Sequence, residues 1–368
     1  MAETLKVIGL MSGTSLDGID AALLETDGVD LAVPVATLGV AYDAETRQTL
    51  RTALDDAKNV TESAPVPYSI RNAERRLTEA HADAVALLLR KAQVSTREIS
   101  LIGFHGQTIL HRPEQRRTWQ IGDGALLATL TGIDVVDDFR SADVRAGGQG
   151  APLAPLYHSA LLRKKGSASP VAIVNIGGVA NVTYVDGDLI LAFDTGPGNA
   201  PIDDWVQRHT GAPIDEAGAL ARTGTVDERI LSRKLDDDFF ASPPPKSLDR
   251  MDFGFEDMEG LSAKDGAATL TAFTAATIAR AREHFPRSAT SWIVCGGGRH
   301  NQTLMDQLRQ RLNAPVLTAE DAGWNGDFVE AEAFAYLAVR SLKGLSLSVP
   351  TTTGVGSALT GGTLHRAK

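Results

Sequence analysis

The chain predicts an α/β protein of two domains, on three observations. Strand-like apolar runs alternate along its length with Ala- and Leu-rich segments of helical spacing. At 368 residues it exceeds the size at which one hydrophobic core usually keeps growing. Each half also opens on strand, glycine turn, strand, which suggests one supersecondary plan used twice, with a cleft between the copies suited to a small substrate.

The first half begins with strands at 5–10 and 19–24, followed by helices at 44–58 and 70–92. A short strand at 101–104 runs into His105-Gly106-Gln107-Thr108, and a second at 118–121 ends at Gly122-Asp123-Gly124. Strand ends in α/β proteins are where sites gather. A strand at 135–138 leads into the glycine-rich stretch 140–150 and a helix at 154–163. The domain boundary is placed in that stretch, giving domains 1–145 and 146–368, with a late helix or the tail returning to the first. The second half opens as a meander of strands at 171–176, 181–185 and 189–193 joined by Gly177-Gly178 and Asp186-Gly187. Helices follow at 202–208 and 267–283, then a buried strand at 292–295 and helices at 301–312 and 328–342. The tail 344–362, rich in Gly, Ser and Thr, reads as an irregular strap.

Composition removes several classes of function. Hydrophobic residues at 43% and charged residues at 22% are ordinary for a globular protein, and no apolar run is long enough to span a bilayer. A net charge of -10 opposes binding to nucleic acid, whereas backbone amides, helix ends and a divalent cation still allow a small anionic nucleotide. The single cysteine, Cys295, leaves no intrachain disulfide, and residues 1–4 show no basic and apolar leader; both favour the cytoplasm. Cys295 itself reads as a buried strand-end residue rather than a nucleophile.

Three segments carry chemistry. The hairpin tip Met11-Ser12-Gly13-Thr14-Ser15-Leu16-Asp17-Gly18 sets hydroxyls beside glycines, which lets backbone approach a phosphate; the same residue types also make ordinary turns. After the third strand of the meander comes Asp194-Thr195-Gly196-Pro197-Gly198-Asn199. A carboxylate there can take a proton from a nucleophile or hold a magnesium-bound water, or simply cap a turn. Cys295-Gly296-Gly297-Gly298-Arg299-His300-Asn301 is a strand, a triple glycine and a helix start that Asn301 can cap, open to a flat ring or a phosphate or to close packing. No segment matches a Walker P-loop or a dinucleotide fingerprint. His105 and His111 are about 20 Å apart on an extended strand, too far to share one metal ion. Asp327 and Glu330 read as helix-start acids, and Pro243-Pro244-Pro245-Lys246-Ser247 as a stiff spacer in preference to an ordered loop at the cleft.

Taken in order, these segments resemble the phosphate and adenosine elements of the sugar kinase, Hsp70 and actin superfamily. Together with His105-Gly106-Gln107-Thr108, Gly148-Gln149-Gly150-Ala151-Pro152-Leu153 and Asn175-Ile176-Gly177-Gly178, they resemble the anhydro-N-acetylmuramic acid kinase family from residue 9 to the tail. The resemblance implies two ribonuclease H-like domains around a cleft and an ATP-dependent, cytoplasmic enzyme of peptidoglycan recycling. Its substrate would be an anhydro amino sugar, hydrolysed at the 1,6-anhydro bridge and phosphorylated on O6. It implies Asp194 as the catalytic base. It assigns ATP to Gly13, Thr14, Ser15, Leu16, Asp17, Gly18, Ile19 and Asp20 and to Gly177, Gly196, Gly296, Gly297, Gly298 and Asn301, with Mg²⁺ bridging phosphate oxygens and no protein metal ligand named. His105, Gln107, Asp123, Arg140, Gln149 and Glu330 are the implied sugar contacts, and a homodimer is the implied assembly. The sequence departs from the family where Pro-Lys-Ser, often followed by Thr-Gly-Arg-Glu, is followed by Leu248-Asp249-Arg250-Met251. The competing readings are a kinase of the same fold acting on an ordinary sugar hydroxyl, and a nucleotide-responsive binding protein without turnover.

Overall fold

Strand β1 (Leu5–Ser12) pairs antiparallel with β2 (Gly18–Thr26), and β2 with β3 (Ala32–Ala41). The structure, a computed structural model, describes residues 3–13, 15–61, 64–164, 166, 170–248 and 252–367. Strand β3 is absent from the sequence reading for a physical reason: it is a sheet edge, mostly half-buried or exposed, and carries Pro34 and Gly39. Its core-facing residues Ala36, Leu38 and Val40 are only partly buried, and apolar residues on its other face blur the alternation.

Helix α1 (Ala44–Ala57) starts where Asp43 accepts the Thr46 N–H, and α2 (Tyr68–Ala92) ends at Gln93 in the left-handed conformation. Then come β4 (Leu101–Arg112), β5 (Arg117–Ile121), α3 (Gly124–Thr131), β6 (Val135–Asp137), α4 (Ser141–Arg145) and α5 (Pro155–Lys164). Strand β4 runs eight residues past the expected end. The segment His105–Thr108 is therefore in the sheet, because β5 pairs back along it from Gln107 to Arg112.

The second meander is β7 (Val171–Ile176), β8 (Val179–Asp186) and β9 (Leu189–Pro197). Helices α6 (Ala200–Thr210), α7 (Ala219–Arg222), α8 (Glu228–Leu235), α9 (Asp238–Ala241) and α10 (Ala263–Arg280) follow. Strand β10 (Ser291–Cys295), α11 (Gln302–Arg311) and β11 (Val316–Thr318) come next, and the chain closes with α12 (Val329–Leu342), α13 (Pro350–Thr353) and β12 (Thr363–His365).

These elements form two units, Met1–Gly166 with Phe328–Lys368, and Ser167–Asp327. The first unit's sheet has the order β12-β6-β4-β1-β2-β3, with β5 on β4; the second's is β11-β10-β7-β8-β9. Five strands correspond, with an antiparallel meander flanked by two parallel strands on its first member in both units. That is the ribonuclease H-like plan, present twice. The division falls after Gly166 instead of at 145. Gly148 and Gly150 donate to Asp143, Gln149 donates to the Thr353 carbonyl, and α5 joins α12 through Tyr157 and Glu332, so 146–166 stays with the first unit.

Alternation along the central strands decides which side chains meet which helix. On β1, Ile8 and Leu10 join the core under α1 and α2, with Leu50, Ala53, Ile70 and Leu77. Gly9 points the other way, against the backbone of α12 at Ala331 and Ala335. In the second unit Ala172, Val174, Tyr184, Phe193 and Val294 pack with Ala275 and Ile278 of α10 and Leu304, Met305 and Leu308 of α11. Cys295 is buried at the end of β10. The tail is irregular to 362 apart from α13, then adds β12 to the sheet edge at β6.

Candidate active site

Phe193 faces the core of the second unit, so its neighbour Asp194 emerges on the opposite face of β9, beside Asn181 of β8. The strand continues to Pro197, so Asp194 lies within it and not after it. Its carboxylate is buried, and Oδ2 accepts the Leu248 N–H at 2.8 Å. Its own N–H donates to the Lys246 carbonyl at 2.9 Å. Burial pushes the carboxyl up to about 7, against the pull of the Leu248 N–H. A carboxylate titrating near neutrality is suited to taking a proton from water or a hydroxyl.

The expected spacer at 243–247 is thus an ordered part of this site. The backbone of Lys246 and Leu248 brackets Asp194, which proline stiffness alone did not reveal. Residues 249–251, where the sequence departs from the family pattern, lie outside the described residues.

Around Asp194 the second unit gathers its glycine turns. Gly198 and Ala200 donate to the Gly178 carbonyl and Asn199 to that of Gly177, which seats the start of α6 on the β7–β8 turn. Asn199 also faces Gly297 and Gly298. Arg299, 3% exposed, pins the triple-glycine turn: it donates to the Gly296 carbonyl at 2.9 Å and pairs with Asp327 and Glu320. Burial opposes its charge, but the hydrogen bonds it donates to Asp327 and Glu320 prevail and raise its pKa. Asn301 caps α11 by accepting the Leu304 N–H at 3.0 Å.

The glycines fall into two kinds. Gly18 has β3 backbone 2.2 Å from where a Cβ would sit, Gly196 and Gly296 have left-handed φ, and Gly298 is filled by Ile176; packing alone demands them. Gly13, Gly177 and Gly297 have no such φ, and a Cβ on them would meet nothing nearer than 3.7 Å. The fold tolerates a side chain at these three positions.

In the first unit Ser12, at the end of β1, is buried and donates to Gln107 Oε1 at 2.7 Å while Tyr42 donates to it at 2.7 Å. Gln107 is wholly buried and lies behind Ser12. Leu16 takes the left-handed conformation at the tip, its N–H on the Gly13 carbonyl, and Tyr42 N–H closes on Asp17. Ser15 and Asp17 are exposed at that tip, Ile19 is buried in β2, and Asp20 pairs in register with Met11; Thr14 lies outside the described residues.

Arg140 donates through Nε and Nη2 to His105 Nε2 at 3.0 and 2.9 Å, and through Nη1 to the Gly150 carbonyl at 2.7 Å. The His105 Nδ1–H then serves the Gly106 carbonyl at 2.8 Å. Burial, followed by the Arg140 charge, keeps this imidazole neutral, well below its ordinary pKa. Both ring nitrogens are engaged within the protein, and His105 orients Arg140. Phe334 of α12 stacks on His105 at 4.5 Å, and the Glu330 carboxyl, raised by desolvation, is partly offset by Arg140. Asp123 is exposed and caps α3 through the Leu126 N–H, the local role its helix-start position allows. Gln149 sits on the loop that Asp143 and Thr353 tie down.

Against known proteins, the chain matches the family model of anhydro-N-acetylmuramic acid kinase over residues 5–367. The chain belongs to the anhydro-N-acetylmuramic acid kinase family. Among relatives of that name, the one from Rhizorhabdus wittichii is 55% identical over 98% of each chain. The one from Rhodospirillum rubrum is 53% identical over 97% of this chain and 93% of its own. Family membership makes this chain a phosphotransferase, a kinase of cell-wall recycling. In fold alone it is similar to the solved PilM–PilN type IV pilus biogenesis complex, with a TM-score of 0.50 and 12% identity over 91% of this chain and 99% of that one. Among the described residues no helix is long and apolar enough to cross a membrane. Sequence reasoning about this family member missed Tyr42 and Arg299, a lone tyrosine after an unrecognised edge strand and an arginine whose partners lie 21 and 28 residues away.

Proposed function

We propose that the protein uses ATP to convert 1,6-anhydro-N-acetylmuramic acid and water into N-acetylmuramic acid 6-phosphate and ADP. The observation that supports this most is the buried Asp194 carboxylate held near neutrality, a base for water that stays unprotonated in part at physiological pH. In this reading Asp194 takes a proton from a water whose oxygen attacks C1. The C1–O6 bond breaks, its electron pair stays on O6, and O6 attacks the γ-phosphorus as ADP leaves. The proton ends on Asp194 and passes to solvent. Trapping O6 as a phosphate ester relieves the chain of stabilising a free alkoxide.

ATP is assigned to the Gly13–Asp20 tip and to Gly177, Gly196, Gly296–Gly298 and Asn301. The open backbone at Gly13, Gly177 and Gly297 supports this, since a phosphate or flat ring can approach it. Among the described residues no three His, Cys, Asp or Glu side chains converge on one point. A Mg²⁺ ion brought with the nucleotide would supply charge neutralisation on the phosphate oxygens. Arg140 and Glu330 are the sugar-side groups we retain, with His105 and Gln107 moved behind Arg140 and Ser12. Use of ATP fits a cytoplasmic enzyme, and a homodimer is the assembly the family resemblance implies.

Reaction in ¹⁸O water tests the reading. Label is expected at C1 of the phosphorylated product; a phosphorylated sugar that keeps its bridge would leave a kinase of an ordinary hydroxyl in its place. A second measurement separates the two kinds of glycine. Gly13→Ala, Gly177→Ala and Gly297→Ala should each raise KM for ATP about tenfold or more, as loss of one phosphate contact does, with little change in melting temperature. Gly298→Ala should instead lower the melting temperature, since its Cβ would sit 2.4 Å from Ile176. Equal ATP affinity in the first three variants would remove the nucleotide from those positions.

A further inference from the structure

The ammonium of Lys246 donates to the carbonyls of Phe239 at 2.7 Å and Phe240 at 3.3 Å, both in α9, and lies 3.4 Å from His284 Nε2. It also sits 4.7 Å from the centre of the Phe239 ring and 5.8 Å from that of Phe193, the residue before Asp194. The same residue's carbonyl takes the Asp194 N–H, and two residues on the Leu248 N–H takes Asp194 Oδ2. The side chain therefore anchors to α9 the one loop that brackets Asp194 on both sides.

We propose that Lys246 is a positioning residue for Asp194: by fastening the 243–248 loop to α9, it holds the Leu248 N–H on the carboxylate and fixes the direction in which that carboxylate meets water. This inference rests on the reading of Asp194 as the base. The charged and titratable groups around the anchor are Arg280 at the end of α10 and Glu283 and His284 in the turn after it. Burial and the Arg280 charge lower the Lys246 ammonium to about 8, against the pull of Glu283. Burial raises the Asp194 carboxyl and the Leu248 N–H opposes it. Loosening the loop therefore weakens an interaction that favours the ionised carboxylate, and the base moves further up.

The test compares Lys246→Met, which keeps the stem and removes the donor, with Lys246→Arg, which keeps donor and charge, using ATP and the anhydro sugar. Lys246→Met is expected to lower kcat about tenfold or more, to leave KM for ATP within about twofold, and to displace the acidic limb of the pH–rate profile upward; Lys246→Arg is expected to restore most of kcat. In an Asp194→Asn background, Lys246→Met should cost nothing further, whereas a residue acting on general stability would cost the same again. If Lys246→Met does not fold, Lys246→Gln is read in the same assays, with a threefold or larger loss of kcat and a displaced acidic limb expected. Wild-type kcat and pH profile in the variant that folds would overturn the inference. Full turnover in Asp194→Asn alone would instead overturn the reading of the base, so the two failures are distinguishable.

Discussion

Replacing Asp194 by Asn lowers kcat about a hundredfold or more while ATP affinity, measured by calorimetry, stays within about threefold. The amide keeps the size of the carboxylate and an oxygen to accept the Leu248 N–H, so the bracket survives and only the base is lost. In the unmodified protein kcat/KM should rise with pH through about 7 and level off above it, because the ionised form takes the proton from water. The stability effect has the opposite sign. A carboxyl raised in the folded state favours folding below its ordinary range near 4, and that contribution is lost as pH rises through about 7. At pH 8 the buried charge opposes folding, so Asp194→Asn should gain on the order of 1–3 kcal/mol there by denaturant titration. A variant with less activity and more stability is the signature of a functional buried charge. Unchanged turnover would refute the role of Asp194, and lost stability at pH 8 would mean that its charge is solvated or paired.

Much of this was legible in the residues because the features were local. The first hairpin and the second meander are apolar runs broken by glycines, the helices at 44–58 and 70–92 have clean spacing, and Asp194, the triple glycine and the Asn301 cap are each contained in a few neighbouring positions. What sequence reasoning lost depends on distant partners. Strand β3 is a sheet edge that pairs with β2 and packs only partly buried Ala36, Leu38 and Val40 on the core. The bond between His105 and Arg140 was not legible, because a polar residue near a strand end looks the same whether it faces a ligand or a neighbour 35 residues away. Lys246 lay in a segment read as a stiff spacer, since neither its carbonyl's bond to Asp194 nor its ammonium's bonds to α9 has a periodic trace. The domain boundary moved for the same reason: Tyr157 meets Glu332 across 175 residues, and a composition shift at 140–150 cannot show that.

Gly9→Ala should be the most destabilising single-methyl change in the first unit. Gly9 lies in the middle of β1 with an ordinary strand conformation, so conformational freedom is not the reason for glycine there. The reason is approach: a Cβ would sit 1.8 Å from the Ala331 carbonyl oxygen and 2.6 Å from the Ala335 nitrogen, both backbone atoms of α12 that no rotamer change can move. Gly103 of β4 makes the matching approach, with a Cβ position 2.1 Å from the Phe334 carbonyl, so α12 rests on two glycines in adjacent strands. Making room means lifting the helix by more than an ångström from a close-packed face, at a cost of about 3 kcal/mol or more. For a unit of this size that lowers the melting temperature by roughly 6–12 °C, readable by calorimetry. The displacement also reaches the site, because α12 carries Phe334 against His105 and Glu330 beside Arg140. KM for the sugar should therefore rise, while Gly13→Ala, made in the same β1–β2 hairpin, leaves the melting temperature unchanged. A Gly9→Ala protein that melts within a degree of the unmodified chain would mean that α12 does not seat on β1 at this distance, and the positioning of Arg140 would have to be sought elsewhere.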